Sequence, residues 1–562
     1  MSRPPLTAAA EYAQAAGALL ARHWDDEVRA FPLRRWRLGQ ARLAALLAAP
    51  HDPRPPELET GRALLSGRMT LAGAVLDTGP GGDPWDTPSP TRRFAVALHR
   101  FTWLPALLAQ GAAGAREALR LSLDWEGLFG GWNAFAWSAD VLERRVFNLA
   151  CGLGPLLAAA SDAEGERLRR SVFRQARDLL TVRAGPLRAA ERAAAAATAG
   201  AALDRDGALL LAPALERLGR ALGDAVLPDG VHRSRSPQAG LELLLDLLAL
   251  DDALQQRGRP SPGAVARSLD RLTSAARFFT LGDGRLAAFQ GGEAADAERV
   301  RAARRLQPEE AGPPPTELRY GGYQRLQGRR LQLIVDVGAP AAGPWSVTAA
   351  DQAGAVEITA GRDRLIVGVG WSPDADGPAA YRGAVGASAA ALGGTEDAPL
   401  LAGLRASGLG PRLIGGAEQA SVSRQENGPD TLVELRHDAW LRRCGHEHER
   451  RLYLAAEADE LRGEDRFIAQ SDRVGPTPLV LRFHLAPEVR AAVARDGRSV
   501  ALRTPTGGGW RLRTDAPAVA LEPSVAFQGG EPRRTQQLVL RSQLRSVEGA
   551  RIRWKLGPAD DR

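Results

Sequence analysis

The sequence predicts a two-part α + β protein: a helical half followed by a half built of antiparallel strands. Three observations carry this. The chain has 562 residues, more than one hydrophobic core serves, so at least two domains are expected. Residues 1–306 are rich in Ala, Leu and Arg, with apolar residues recurring at i, i+3, i+4 and i+7. Residues 317–562 hold short β-rich runs, several alternating in period two and most bounded by Gly, Pro, Asp or Asn. Between them lies QPEEAGPPPT (Gln307–Thr316), whose consecutive prolines cannot continue a helix and favour an extended linker.

The helical elements follow in order. ALLARHWDDEVRAF (18–31), EALRLSLDWEGLF (117–129), VLERRVFNLACGLGPLLAAA (141–160) and GLELLLDLLALDDALQQRG (240–258) each carry one apolar face. The Pro/Gly-rich stretches APHDPRPPE (49–57) and DTGPGGDPWDTPSP (77–90) break the helical texture. The strands come after the linker. RLQLIVDVG (330–338), AVEITAGRDRLIVGVG (355–370), DTLVELRHDAW (430–440), ERRLYLAAEADELRGEDRFI (449–468), PLVLRFHLA (478–486), SVALRTP (499–505), GWRLRTD (509–515) and TQQLVLRSQL (535–544) recur at a spacing that suits an antiparallel sandwich.

Bulk properties narrow the function. Apolar content of 44% and charged content of 25% fit a folded globular protein. The net charge of +7 is carried almost wholly by Arg, with Lys555 the only lysine. Arg pairs bidentately with carboxylate, sulfate and phosphate, so the balance suits an acidic polymer; the same Arg, Ala and Gly usage also marks a GC-rich genome. No nucleic-acid motif is present. Cys151 and Cys444 lie in different halves, with no disulfide or zinc-finger spacing. Glu11 and Gln14 interrupt the first apolar stretch, which reads as an amphipathic helix and not as a secretory signal. No stretch has the roughly 18 apolar residues of a membrane span. A cytoplasmic protein is expected, and the oligomeric state is left open.

An ordered set of segments resembles the heparinase II/III family of polysaccharide lyases. ALHRFTWL (97–104), WNAFAWSADVLERRVFN (132–148), DGVHRSRSPQAG (229–240) and FFTLGDGRLAAFQGG (278–292) resemble its helical half. GYQRLQGRRLQLIVDVG (322–338), AGAVEITAGRDRLIVGVG (353–370), HDAWLRRCGHEHERRL (437–452) and RRTQQLVL (533–540) resemble successive strands of its C-terminal half. The resemblance implies an incomplete (α/α) toroid followed by an antiparallel β-sandwich. It also implies β-elimination of uronate-containing polysaccharides in a cleft between the two, with the periplasm or cell envelope as the family's usual place.

The same resemblance exposes what is missing. Such a lyase must neutralise the sugar carboxylate, remove the C5 proton and protonate the leaving oxygen. Family members use an Asn or His, a Tyr and a His, and often a structural zinc. Here no Asn lies between Asn148 and Asn427. The family's Tyr-His pair aligns with Ala239 and Gly240, and an upstream Glu with Ser234. Its His-Ala-His-Ala run aligns with Ala350, Asp351, Gln352 and Ala353. A further Asp or Asn falls near Gly368, and another His at Ala391. Ala and Gly offer a metal no side-chain ligand, and Gln is a poor one for zinc. No cofactor is expected.

The remaining candidates are few. His232, Arg235 and Ser236 lie in the loop that the resemblance turns toward the cleft, where Arg235 suits a uronate or sulfate and His232 is a weak catalytic candidate. Tyr323, and Tyr320 beside it, stand at the start of the sandwich; Tyr323 either donates a proton or packs the sheet. His99 and Trp103 lie one helical turn apart and either bind sugar or fill the core. His446 and His448 share one face of a strand near His437, which is metal-capable spacing or else a solvated hairpin. Two functions therefore stand: a lyase-like enzyme acting on an acidic polysaccharide with a rearranged catalytic set, or a non-cleaving acidic-glycan-binding or scaffold protein on the same fold.

Overall fold

In a computed structural model of the chain, residues 5–33, 45–204, 207–294, 296–304, 312–371, 378–393, 399–470, 476–544 and 550–559 are described. The polypeptide forms two compact units. One holds Ala16–Val226 and Glu242–Asp270; the other holds residues up to Ala15, Leu227–Leu241 and Arg271 onward. The expected linker lies partly outside the described residues, and 312–316 carries neither helix nor strand.

The first unit is helical. Its helices include Leu58–Leu65, Arg92–His99, Gly111–Phe129, Ala139–Ala159, Asp162–Leu179, Ala189–Ala202 and Gly207–Ala225. Local chemistry sets several of the ends. Ser161 and Glu164 form a reciprocal capping box at the start of Asp162–Leu179, and the Thr91 side chain caps Phe94 N. Ala189–Ala202 is buried along nearly its whole length; its Ala side chains let neighbouring helices come close. At Gly200 an added Cβ would stand 2.9 Å from Leu211 N.

Ion pairs on buried carboxylates tie this unit together. Asp246 accepts from Arg54 at 2.7 Å and from Arg144 at 2.5 Å, while Glu143 accepts both forks of Arg188 at 2.9 and 2.7 Å. One hairpin, Arg68–Leu71 with Ala74–Asp77, departs from the expected all-helical half. Its two-residue turn has positive φ at both Ala72 and Gly73, the geometry that matches strand twist.

The second unit carries two antiparallel sheets of eight and nine strands among the described residues. The eight-stranded sheet runs, in spatial order, Arg490–Val493, Ser499–Arg503, Gly509–Thr514, Ala550–Pro558, Glu460–Ala469, His446–Ala455, Asp430–His437 and Ala420–Asn427. The other runs Ala518–Gln528, Glu531–Leu544, Thr477–Leu485, Asp363–Val367, Val356–Ala360, Leu331–Asp336, Tyr323–Gln327 and Glu317–Leu318, with Ala390–Leu392 also on Thr477–Leu485. One apolar core joins the inner faces, from Leu333, Ile358 and Leu481 on one sheet to Leu452, Leu461 and Trp554 on the other. This is the β-sandwich the alternating pattern predicts. Among the described residues, no helix is long and apolar enough to cross a membrane.

Candidate functional site

The loop Asp229–Ser236 is built from its backbone outward. Asp229 Oδ2 accepts from Tyr320 N at 2.6 Å and Gly321 N at 2.8 Å, which seats the loop on the start of the sandwich. Gly321 must be glycine, because a Cβ there would stand 2.3 Å from Val231 Cγ2. His232 Nδ1 lies 2.7 Å from Ser234 Oγ, and its ring meets Trp345 edge-on at 5.5 Å. Ser236 Oγ accepts from Ala239 N at 3.3 Å and so caps the helix Pro237–Gln256.

Arg235 lies at the centre of this arrangement and corrects its expected role. It sits at φ 66° and is buried. Nε donates to Gly321 O at 2.8 Å, Nη1 to Gly338 O at 3.3 Å and Ala339 O at 2.9 Å, and Nη2 to Gly322 O at 3.1 Å and to Asp336. Those acceptors match the five donors of a guanidinium, so none is left for a sugar carboxylate or sulfate. Arg235 is an internal brace, not a substrate clamp. Burial opposes its charge, but Asp336 raises the pKa above its ordinary value. Asp336 in turn accepts from Gln290 Nε2 at 2.8 Å, and Gln290 Oε1 accepts from Ala350 N at 3.0 Å.

Tyr323 joins the same cluster. Its hydroxyl donates to Arg235 O at 2.7 Å, and the guanidinium lies 4.8 Å from its ring centroid. Burial pushes the phenol pKa well above its ordinary value, with Arg235 opposing and Asp336 adding. A phenol that is buried, donating to a carbonyl and held protonated is a poor base for a C5 proton. The neighbouring Tyr320 is exposed.

The positions aligned with metal ligands do not fit a zinc ion. Gly368 and Ala391 have no ligating atom. Gln352 is buried, with Nε2 unpartnered among the described residues. A Cβ at Gly368 would stand 3.4 Å from Glu357 Oε1 and 3.1 Å from Ala288 O, so a carboxylate grown there would meet another. Gly368 instead lines a 260 Å³ cavity that sequence reasoning missed, with Glu357, Arg364, Asp283 and Phe527. Burial raises the Glu357 pKa to about 7, against Arg364 and the Gly368 N–H. The signal for it was a lone acid inside the apolar run AVEITA.

The other candidates are also interior. Trp103 is buried and donates to Leu98 O at 3.1 Å. His99 Nδ1 accepts from Trp125 Nε1 at 3.0 Å amid Trp85, Phe129 and Phe135. Burial, then Arg145, lowers the His99 pKa to about 4. Neither residue is a surface stacking platform; both fill the helical core.

His446 and His448 do share one strand face, but it is the buried one, so neither lies on a solvated hairpin. His446 Nδ1 sits 2.7 Å from Cys444 O. His448 is engaged at both nitrogens, with His437 Nε2 at 2.9 Å and Asp465 Oδ1 at 2.8 Å. Asp465 also accepts from Arg450 Nε at 2.7 Å and Trp554 Nε1 at 3.0 Å. Burial lowers the His437 and His448 pKa values, and burial of Asp465 is outweighed by Arg450 and His448, which hold its pKa below the usual range. This is an internal polar network whose His448 cannot ligate a metal without breaking it.

Comparison with known proteins agrees with the architecture. The family described as "Heparinase II/III-like, C-terminal" matches residues 310–555. The fold is similar to that of Heparinase III, with TM-score 0.69 and 14% identity over 94% of this chain and 89% of that one. It is also similar to a heparan sulfate lyase HepC mutant from Pedobacter heparinus, with TM-score 0.60 and 15% identity over 98% and 91%. At such identities the likeness speaks for the fold alone. Over 575 residues the chain is 46% identical to FtsZ-localized protein C of Caulobacter vibrioides (strain NA1000 / CB15N), covering 99% of both. With a helical half, a C-terminal sandwich and full-length similarity in hand, the chain belongs to the heparinase II/III family.

Proposed function

We propose that this protein is a non-cleaving member of the heparinase II/III family, acting in the cytoplasm as a scaffold that localises with FtsZ. The observation that carries the first half is the state of the inherited site. Ala239, Gly240, Gly368 and Ala391 offer no acid, base or ligand, while Arg235 and Tyr323 are both engaged in bracing the sandwich. A β-elimination needs a base at the C5 proton and an acid at the leaving oxygen, and these residues supply neither. The FtsZ half is supported by the full-length relative and its name.

The test is a fluorescent fusion in the source bacterium, imaged before and after FtsZ depletion. A band at the division site that disperses on depletion is expected. A signal indifferent to FtsZ overturns this half of the reading. A second reading, binding or cleavage of an acidic polysaccharide, is favoured by family membership and by the net charge of +7. It predicts salt-sensitive binding to a uronate polymer that does not depend on FtsZ.

A further inference from the structure

The outer face of the eight-stranded sheet carries two adjacent cross-strand rows of different character. In the first row Glu434 stands opposite Arg451, Arg451 opposite Glu464, and Glu464 opposite Arg553. Acid and base alternate, and each charge is matched by its neighbour: Arg451 pairs with Glu434 at 2.9 Å and Arg553 with Glu464 at 2.8 Å. That row accounts for itself as sheet stabilisation.

The second row does not. Leu432 stands opposite Tyr453, Tyr453 opposite Arg462, Arg462 opposite Lys555, and Lys555 opposite Arg513. Three cations stand abreast on neighbouring strands, an arrangement that destabilises a sheet. Glu460 pairs with Arg462 at 2.7 Å and with Lys555. It stands in the next row of the same face, opposite Ala455, and its side chain is 16% exposed, against 61% for Arg462 and 45% for Lys555. The cationic tips face solvent, Arg513 among them. Both rows line a groove of about 690 Å³, in which five cations, Arg451, Arg462, Arg513, Arg553 and Lys555, face three acids, Glu434, Glu464 and Asp515.

We propose that this groove binds an acidic peptide segment that also carries apolar side chains, with carboxylates on Arg462, Lys555 and Arg513 and apolar groups on Tyr453 and Leu432. Charge complementarity selects an anion, since bidentate guanidinium–carboxylate pairs are among the strongest polar contacts at a surface. The apolar end of the same row selects a peptide over a polysaccharide, whose surface is hydroxylated along its length. Five positions at the strand spacing span about 19 Å, the length of about six extended residues. Like charges abreast at a fixed register, offset only in part by Glu460, are the kind of local conflict a sequence retains where a partner resolves it. The inference stands without the FtsZ reading.

The experiment uses the full chain and its single lysine. An amine-acetylating reagent modifies Lys555 as the only lysine side chain, and peptide mass spectrometry reads its rate. The probe is a synthetic peptide of about six residues, an aspartate run followed by leucine and phenylalanine. It is expected to slow Lys555 acetylation about tenfold. The variant Arg462→Gln with Arg513→Gln should weaken peptide binding about tenfold or more without lowering the melting temperature, because removing cations from the row relieves repulsion. No protection of Lys555 overturns the proposal. Equal protection by a purely acidic peptide, or by heparin with no competition from the probe, also overturns it, as either makes the face a general polyanion surface. A variant that melts lower and binds unchanged makes the row structural and overturns it too.

Discussion

Removing Asp336 should damage the fold, and the size of the effect follows from its surroundings. In Asp336→Ala the Arg235 guanidinium keeps its charge but loses the only carboxylate among the described residues that hydrogen-bonds to it. The two side chains are 6% and 0% exposed, so the orphaned cation cannot turn to water without opening the loop. Breaking a buried pair from one side costs about 3–5 kcal/mol. Gln290 Nε2 and Gly338 N lose an acceptor as well. For a unit of this size about 2 °C of melting temperature corresponds to 1 kcal/mol, so a fall of about 6–10 °C is expected. Arg235→Met should act in the same direction, and the double variant should recover at least about 2 kcal/mol of the summed loss, since the two residues act on each other. The assay is thermal unfolding followed by the β-sheet circular dichroism signal, with urea unfolding as a check. Two units need not unfold together, so the transition of the sheet-bearing unit is the one compared. A shift below about 2 °C for Asp336→Ala refutes the bracing role. So does Arg235→Ala melting like the parent while losing an acidic polysaccharide.

The histidines give a signed pH dependence. His99 and His484 titrate near 4 in the folded chain, mainly because they are buried, and near 6.5 when unfolded. The unfolded chain therefore takes up protons first as pH falls, so the stability held above about 6.5 is lost on the way down to about 4. Each contributes roughly 2 kcal/mol of loss between about pH 7 and pH 5, and His99→Gln should show a shallower acid limb in its melting temperature; an unchanged limb removes His99 from the account. Asp465→Asn should lower the melting temperature of the sheet-bearing unit, by about 3 kcal/mol in stability, because Arg450 and Asp465 are each 1% exposed; a neutral outcome would show that the network contributes no net stability.

The architecture was largely legible because periodicity reports burial. The 3.6-residue stripes of 117–129 and 141–160 became helices, and the alternation of 430–437 and 499–503 became strands. The hairpin at 68–77 was not read, since four-residue strands around an Ala-Gly turn give too little pattern. The strand Ala518–Gln528 was missed too, with Pro523 inside it. The site was harder. His446 and His448 were placed on one face, but which face was readable only from parity: Leu452 and Leu454 share it and point inward. Arg235 gave no local sign of its fate, because its partners lie 86 to 104 residues away. Asp336 did give one, as a lone acid ending the buried run LQLIVD, which calls for a cation. The vacated positions Ala239, Gly240 and Ala391 were visible only against the family pattern.

The most direct measurement is ultraviolet absorbance for unsaturated uronate, with the purified protein incubated across a panel of acidic polysaccharides. With the base and acid positions vacated and Tyr323 held protonated against the Arg235 carbonyl, the trace should stay at the level of a heat-inactivated control for every polymer. A rise that scales with protein concentration, saturates with one polysaccharide and is lost in Tyr323→Phe would contradict the account and return this chain to the lyases.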